Sequence, residues 1–240
     1  MYSTFLLTIR GASLSSQDAD RYIIFGCRSP LVVDYEESIV RAGLSLLRSV
    51  SLNGTPRVLD QSKVMSLEQF KSGGLKVDTA RFIACAFASE RRRELVEVAE
   101  VMGLKPAKAL LDPTAILPSS LRVGRGAYIN AGAVIGGASF IGSHTLINRS
   151  SSIGHHCFIG DYVSIAPGVT LASNVRVGDG VTIGAGAVVV PNIVIGEGAV
   201  IGAGSLIRKD IDAWSFWAGN PAICRELDRT KSALNTSGEE

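Results

Sequence analysis

Histidine is scarce in this chain: His144, His155 and His156 are the three in 240 residues. Chemistry that needs an imidazole titrating near neutrality is confined to that short window. The four cysteines, Cys27, Cys85, Cys157 and Cys224, are scattered and form no CxxC pair. That argues against a disulfide framework or a zinc-thiolate site and fits reduced thiols in a cytoplasmic protein. No apolar stretch approaches the ~20 residues needed to cross a bilayer. Phe5 to Ile9 is too short for a signal-peptide core, and no basic residue precedes it. Charge is sparse as well, at 19% of residues with a formal net charge of +2 and no long basic run, so nothing points to a nucleic-acid partner. Hydrophobic residues make up 46%, enough for a sizeable core and too many for a disordered chain.

What the sequence has instead is a repeat. Stepping by six from Leu111 gives Leu117, Val123, Ile129, Ile135, Ile141, Ile147, Ile153 and Ile159, then Ile165, Leu171, Val177, Ile183, Val189, Ile195, Ile201 and Ile207. Every position is aliphatic, with no insertion or deletion. Glycine often follows directly, as at Gly124, Gly136, Gly142, Gly154 and Gly160, and the fifth position is small or β-branched, as at Ala127, Ala133, Thr145 and Val163. Six residues make one short strand and a turn, and three such units make an 18-residue triangular coil, with coils stacked about 4.8 Å apart. The pattern predicts a left-handed parallel β-helix over 107–212, an exception to the usual right-handed crossover. Residues 18 apart then stack, so Asn130 and Asn148 form one ladder, and Asp161, Asp179 and Glu197 another. Both ladders are most simply structural or solvated.

Residues 22–106 read as a small Rossmann-like α/β domain. Tyr22 to Phe25 is a buried strand entering the loop Gly26-Cys27-Arg28-Ser29-Pro30. A helix follows with Val32, Tyr35, Ile39 and Val40 on one face, then a strand over Leu44–Leu52 that ends at Asn53-Gly54. Phe82 to Phe87 is a third strand, and Ser89 is expected to cap a helix with Leu95, Val98, Ala99 and Met102 as its apolar stripe. A glycine-started strand–loop–helix can receive a phosphate, with Arg28 as its cation, although the full GxGxxG is missing. The simpler reading is that Gly26 makes the turn. Residues 1–21 form an extension. The tail 213–240 caps the prism, with Pro221 to Leu227 read as a short helix.

His155 and His156 fall beside a corner of an otherwise uncharged scaffold. A histidine there could take the proton of an attacking amine or hydroxyl, and a corner N–H could receive an oxyanion; the alternative is two surface histidines at a turn. Zinc is a rival, but spacings of 11 and 1 do not suit a three-histidine site, and no metal is expected.

The combination of the small domain, the hexads, Asn148, Ile153-Gly154-His155-His156-Cys157-Phe158-Ile159-Gly160-Asp161, Ile165-Ala166-Pro167-Gly168 and Gly219-Asn220-Pro221-Ala222 resembles the sialic acid O-acetyltransferase family of sugar acyltransferases. That family includes UDP-amino-sugar N-acetyltransferases of the bacillosamine and perosamine type. The resemblance implies a homotrimer with acetyl-CoA lying between adjacent β-helices and His155 as general base, assisted by His156 and Asn148. It implies that Ser164 and the backbone of Ala185 and Ala203 meet the cofactor. A nucleotide-sugar acceptor would sit on Gly26, Arg28, Ser29 and Asn53. Three features depart from the family: His156 stands where Asp or Glu usually follows the base, Ser164 where a second histidine is common, and the acceptor loop carries serine and proline. The expected activity is transfer of acetyl to the amine of a nucleotide-linked amino sugar. The alternatives are sugar O-acetylation and an inactive binding or scaffold protein.

Overall fold

The computed structural model describes residues 7–8, 21–73 and 80–226. Most of the N-terminal extension, and Leu227 of the expected helix, therefore lie outside the described residues.

From Leu110 onward the chain winds through two-residue strands whose second member points inward. Parallel pairing joins residues 18 apart, as in Ile129 with Ile147 and Ile147 with Ile165. Three sheets result, the faces of a left-handed triangular prism. In chain order the first face carries Leu111, Ile129, Ile147, Ile165, Ile183 and Ile201. The second carries Ile135, Ile153, Leu171, Val189 and Ile207, and the third Val123, Ile141, Ile159, Val177 and Ile195. From Val123 to Ile207 each of these aliphatic residues is buried, contributing about 1.5–3 kcal/mol apiece. Leu111 and Leu117, at the open end, are only partly buried.

The corners explain the rest of the hexad. From Val123 to Ile201 the third residue after each inward aliphatic takes a left-handed conformation, whether it is glycine, as at Gly126 (φ 67°), or not, as at His144 (φ 54°) and His156 (φ 57°). The glycine directly after the aliphatic is a matter of space: a Cβ on Gly136 would lie 2.4 Å from His155 N in the next coil. Small polar residues in the fifth slot turn back to the coil wall, Thr145 Oγ1 donating to Gly160 O at 2.7 Å.

The winding outlasts the repeat. After Ile207 the next inward residues are Ile211 and Trp217, spaced four and six apart, and both are buried in the prism core. Phe216–Gly219 extends the first face, and Ala222–Arg225 folds back antiparallel on it. The expected helix at Pro221 is thus a hairpin strand; its edge covers the last open rung of the sheet. At the other end β1 (Leu7–Thr8) pairs antiparallel with Arg122–Val123.

The α/β domain contains β2 (Arg21–Phe25), α1 (Val32–Arg41), β3 (Ser45–Ser51), β4 (Val64–Ser66), α2 (Leu67–Lys71), β5 (Ala80–Ala84), α3 (Ser89–Val101) and β6 (Lys105–Pro106). Its sheet is parallel in the order β4-β3-β2-β5-β6. Two details differ from the sequence reading. Val40 is 72% exposed, because Val32, Tyr35 and Ile39 already fill the face of α1 that meets the core. Ser89 is the first helical residue and caps nothing; Ala88 precedes it without a side-chain cap.

The domain sits on the outer side of the first face. Leu110, Tyr128 and Leu146 point out of the prism into the cluster of Tyr22, Val32, Tyr35 and Ile39. Arg92 of α3 fastens the joint. Fully buried, it donates to Ala86 O, Phe87 O, His144 O, Tyr162 O and Val163 O and to Ser164 Oγ at 2.6–3.0 Å. Burial draws its guanidinium down to about 10, which still leaves it cationic at neutral pH.

Candidate functional site

Two places gather the candidate residues, and they lie on opposite sides of the chain. The first is a cavity of about 330 Å³ at the carboxyl ends of β2, β3 and β5, lined by Gly26, Cys27, Arg28, Ser29, Leu52, Asn53 and Cys85, with Ala88, Arg91 and Leu95 of the α3 end. Strand order reverses there: the chain goes from β2 outward to β3 and returns to β5 on the other side. Open parallel sheets leave a ligand crevice at such a point. All four sequence-derived acceptor residues, Gly26, Arg28, Ser29 and Asn53, meet in it. Gly26 (φ 92°) permits a close approach, since a Cβ would come within 2.5 Å of Leu95 Cδ1 and 2.9 Å of Cys85 O. Arg28 lies across Gly54, whose missing side chain makes room for it. The buried floor is formed by two thiols, Cys27 and Cys85, both pushed above their usual range by desolvation.

Arg91, in the first turn of α3, was missed by sequence reasoning and gives the cavity a second guanidinium beside a helix N-terminus. Its signal was the Arg91-Arg92-Arg93 run directly after a buried strand. The three side chains part ways: Arg91 lines the cavity, Arg92 fills the joint and Arg93 lies 4.1 Å over the ring of Tyr162.

The second place is the corner between the second and third faces. His155 and His156 are exposed there, their rings edge-on at 88°, with Nδ1 to Nδ1 at 2.9 Å. A hydrogen bond between two Nδ1 atoms needs one to be protonated and the other bare. The residues stacked on either side, Gly137 and Ala138 below and Ser173 and Asn174 above, carry no charge; His156 N donates to Gly137 O and Asn174 N to His155 O. His144 is on a different corner, so the three imidazoles do not converge.

The remaining candidates lie elsewhere. Ser164 is fully buried in the joint, its Oγ donating to Phe87 O at 2.5 Å and accepting from Arg92. It occupies the outward slot of the face that the α/β domain covers and has no surface for a cofactor within this chain. Asn148 is 3% exposed at the corner between the first and second faces, where its Oδ1 accepts from Asn130 Nδ2 and Arg149 N. Asn130 continues the ladder to Asp34 of α1, which also pairs with Arg149 at 2.9 Å. Asn148 therefore sits in a structural network, apart from His155 in the same chain. Ala185 and Ala203 are exposed at that same corner two and three coils on, Ala185 O accepting from Gly204 N.

Among the described residues no helix is long and apolar enough to cross a membrane. Comparison with known proteins adds the following. The family described as bacterial transferase hexapeptide (six repeats) matches residues 174–209, and that described as the hexapeptide repeat of succinyl-transferase matches 151–178. No curated protein matches in sequence. Solved structures do match over nearly the whole length. A variant of perosamine N-acetyltransferase from Caulobacter crescentus, in complex with CoA and GDP-perosamine, is 27% identical with a TM-score of 0.75, covering 90% of this chain and 100% of that one. The acetyltransferase domain of PglB from Neisseria gonorrhoeae, in complex with acetyl coenzyme A, is 25% identical with a TM-score of 0.75, covering 87% and 100%. WeeI from Acinetobacter baumannii is 26% identical with a TM-score of 0.74, covering 86% and 99%. An uninterrupted hexad prism joined to a small parallel domain, with likeness running through both parts, leads to one conclusion: the chain carries the hexapeptide repeats of bacterial transferases, is similar over nearly its whole length to sugar N-acetyltransferases, and is an acyl-CoA-dependent acyltransferase.

Proposed function

We propose that this protein transfers the acetyl group of acetyl-CoA to the amine of a nucleotide-linked amino sugar, with His155 as general base. The observation that carries the reading is the imidazole pair at an exposed, uncharged corner. With Nδ1–H of His155 donated to His156, Nε2 of His155 is bare on an exposed ring. It takes the proton as the amine nitrogen attacks the thioester carbon; the C–S bond then breaks and the thiolate leaves with its electron pair. The cavity with Arg28 and Arg91 has the cations and the helix end that a diphosphate needs, which supports a nucleotide-linked acceptor.

Within one chain the two halves of such a site face apart, because the α/β domain covers the first face and His155 stands on the corner opposite that face. A neighbouring chain would bring its own cavity to this corner, and a homotrimer does so three times by rotation. The faces that meet at the histidine corner support this assembly: Phe158 and Val194 on the third and Val134 and Val188 on the second are 39–46% exposed. Ala185 and Ala203, on the far edge of the second face, would then border the pantetheine groove.

Replacement His155→Ala tests the reading, with free-thiol release as the readout and sedimentation and CoA binding as controls. Turnover is expected to fall at least about 100-fold while assembly and CoA affinity persist. Turnover at the wild-type rate would remove His155 from the chemistry. If wild-type protein acetylates a sugar hydroxyl in preference to an amine, the acceptor assignment gives way and the base assignment stands.

A further inference from the structure

We propose that His156 is a second proton carrier, and that the two imidazoles form a relay from the acceptor to solvent. The inference rests on His155 being the base. It follows from the 2.9 Å contact between the Nδ1 atoms, which holds one proton between two groups of the same kind. A carboxylate following the base would fix and polarise the ring. A second imidazole does something different: it accepts Nδ1–H and can keep the proton, because it has a second ring nitrogen from which to pass one on.

The acceptor N–H bond breaks and Nε2–H of His155 forms. Nδ1–H of His155 breaks and Nδ1–H of His156 forms, leaving His155 neutral and the positive charge on His156. Nε2–H of His156 then goes by way of water to the departing thiolate. Nε2–H of His155 is then lost to water and Nε2 of His156 takes a proton from water while Nδ1–H of His156 returns to Nδ1 of His155, which restores the starting tautomers. No net proton is gained or lost, and no further reactant is needed.

The geometry favours movement of charge along this line. Both rings are exposed, and the coils on either side place Gly137, Ala138, Ser173 and Asn174 against the pair. The charged residues around the pair are engaged elsewhere: Asp161 accepts from Ser143 N at the corner of the third and first faces, Arg149 is held by Asp34 at the corner of the first and second, and the Arg176 guanidinium lies 5.6 Å over the Phe158 ring on the third face.

The fold itself supplies the test variant. Asn174 and Asn192 occupy the same corner position as His156 in the next two coils, with φ of 61° and 64°. His156→Asn thus keeps the backbone and can accept the His155 proton donor, but it cannot take the proton. His156→Asp accepts it and can be protonated. Turnover of the intact assembly, at saturating acetyl-CoA over pH ~6–9, is expected to drop about 10-fold in His156→Asn with CoA affinity unchanged. In His156→Asp it is expected to return, with the acid limb moved to higher pH by the added negative charge. Wild-type turnover in His156→Asn overturns the relay, as does an equal loss in both variants, which would mark the imidazole as packing. Because His155→Ala is measured alongside, failure of the relay alone is told from failure of the base: the first leaves His155→Ala inactive and the second does not.

Discussion

At the corner joining the second and third faces, His155 and His156 stand in solvent and pair with each other. At the corner joining the third and first faces, His144 is 6% exposed, stacked against Tyr162 at 5.1 Å and Phe82 at 6.3 Å, with no partner for Nδ1. The two corners are written in the same hexad: His144 and His156 occupy the same slot and share a left-handed backbone. What separates them is the α/β domain, which lies over one corner and leaves the other bare. On a solenoid the repeat sets which way a side chain points, and whatever is laid over the face decides what it does there.

The largest test of that contrast removes the fastening. Arg92→Met deletes the donors for five carbonyl oxygens and Ser164 Oγ at the covered corner, leaving several buried acceptors unpaired. Unfolding by denaturant is expected to show a loss of at least about 3 kcal/mol. A loss within experimental error would mean that apolar contact alone holds the domain down.

A matched pair of smaller changes compares the corners directly. A Cβ on Gly124 would come 2.4 Å from Ser143 N, beside His144; one on Gly136 would come 2.4 Å from His155 N. Gly124→Ala and Gly136→Ala should each destabilise by about 1–3 kcal/mol, because backbone rather than a mobile side-chain end must shift. Only Gly136→Ala should also lower turnover per folded molecule, by about 10-fold, since it displaces the base. Equal turnover in the two variants would erase the distinction.

These contrasts also show what could be read in advance. The prism is legible because each contact closes over 18 residues and recurs, so Ile147 and Ile165 carry the same instruction as Ile129. The corner of His155 and His156 is legible for the same reason. The role of Ser164 is not: its outward slot can be counted off, but Arg92, its partner 72 positions away, belongs to an element with no repeat in common. Family likeness sets Asn148 near His155; within one chain the coil puts it at the other end of the second face, in a ladder with Asn130. The final coil fails in another way. Ile211 and Trp217 break the spacing of six, and a strand that folds back after Gly219 carries no alternation to distinguish it from a helix. In the α/β domain the cavity follows from strand order, which single strands do not reveal, and so Arg91 was passed over.

The smallest effect belongs to His144. Burial, with Arg92 and Arg93 adding to it, lowers its pKa to about 4 from 6.5. Between those values the unfolded chain binds a proton that the folded chain refuses, so stability is full above about 6.5 and declines as pH falls towards 4. At pH ~5.5 the loss from this one group is on the order of 1 kcal/mol. His144→Phe should remove that decline while keeping the ring stack, because Tyr162 already places an aromatic residue in the same slot one coil on, at φ 56°. The difference in melting temperature between pH ~7.5 and ~5.5 should therefore shrink in His144→Phe. If the difference stayed at its wild-type value, cover by the α/β domain would not govern the His144 proton, and the contrast between the covered and the open corner would fail.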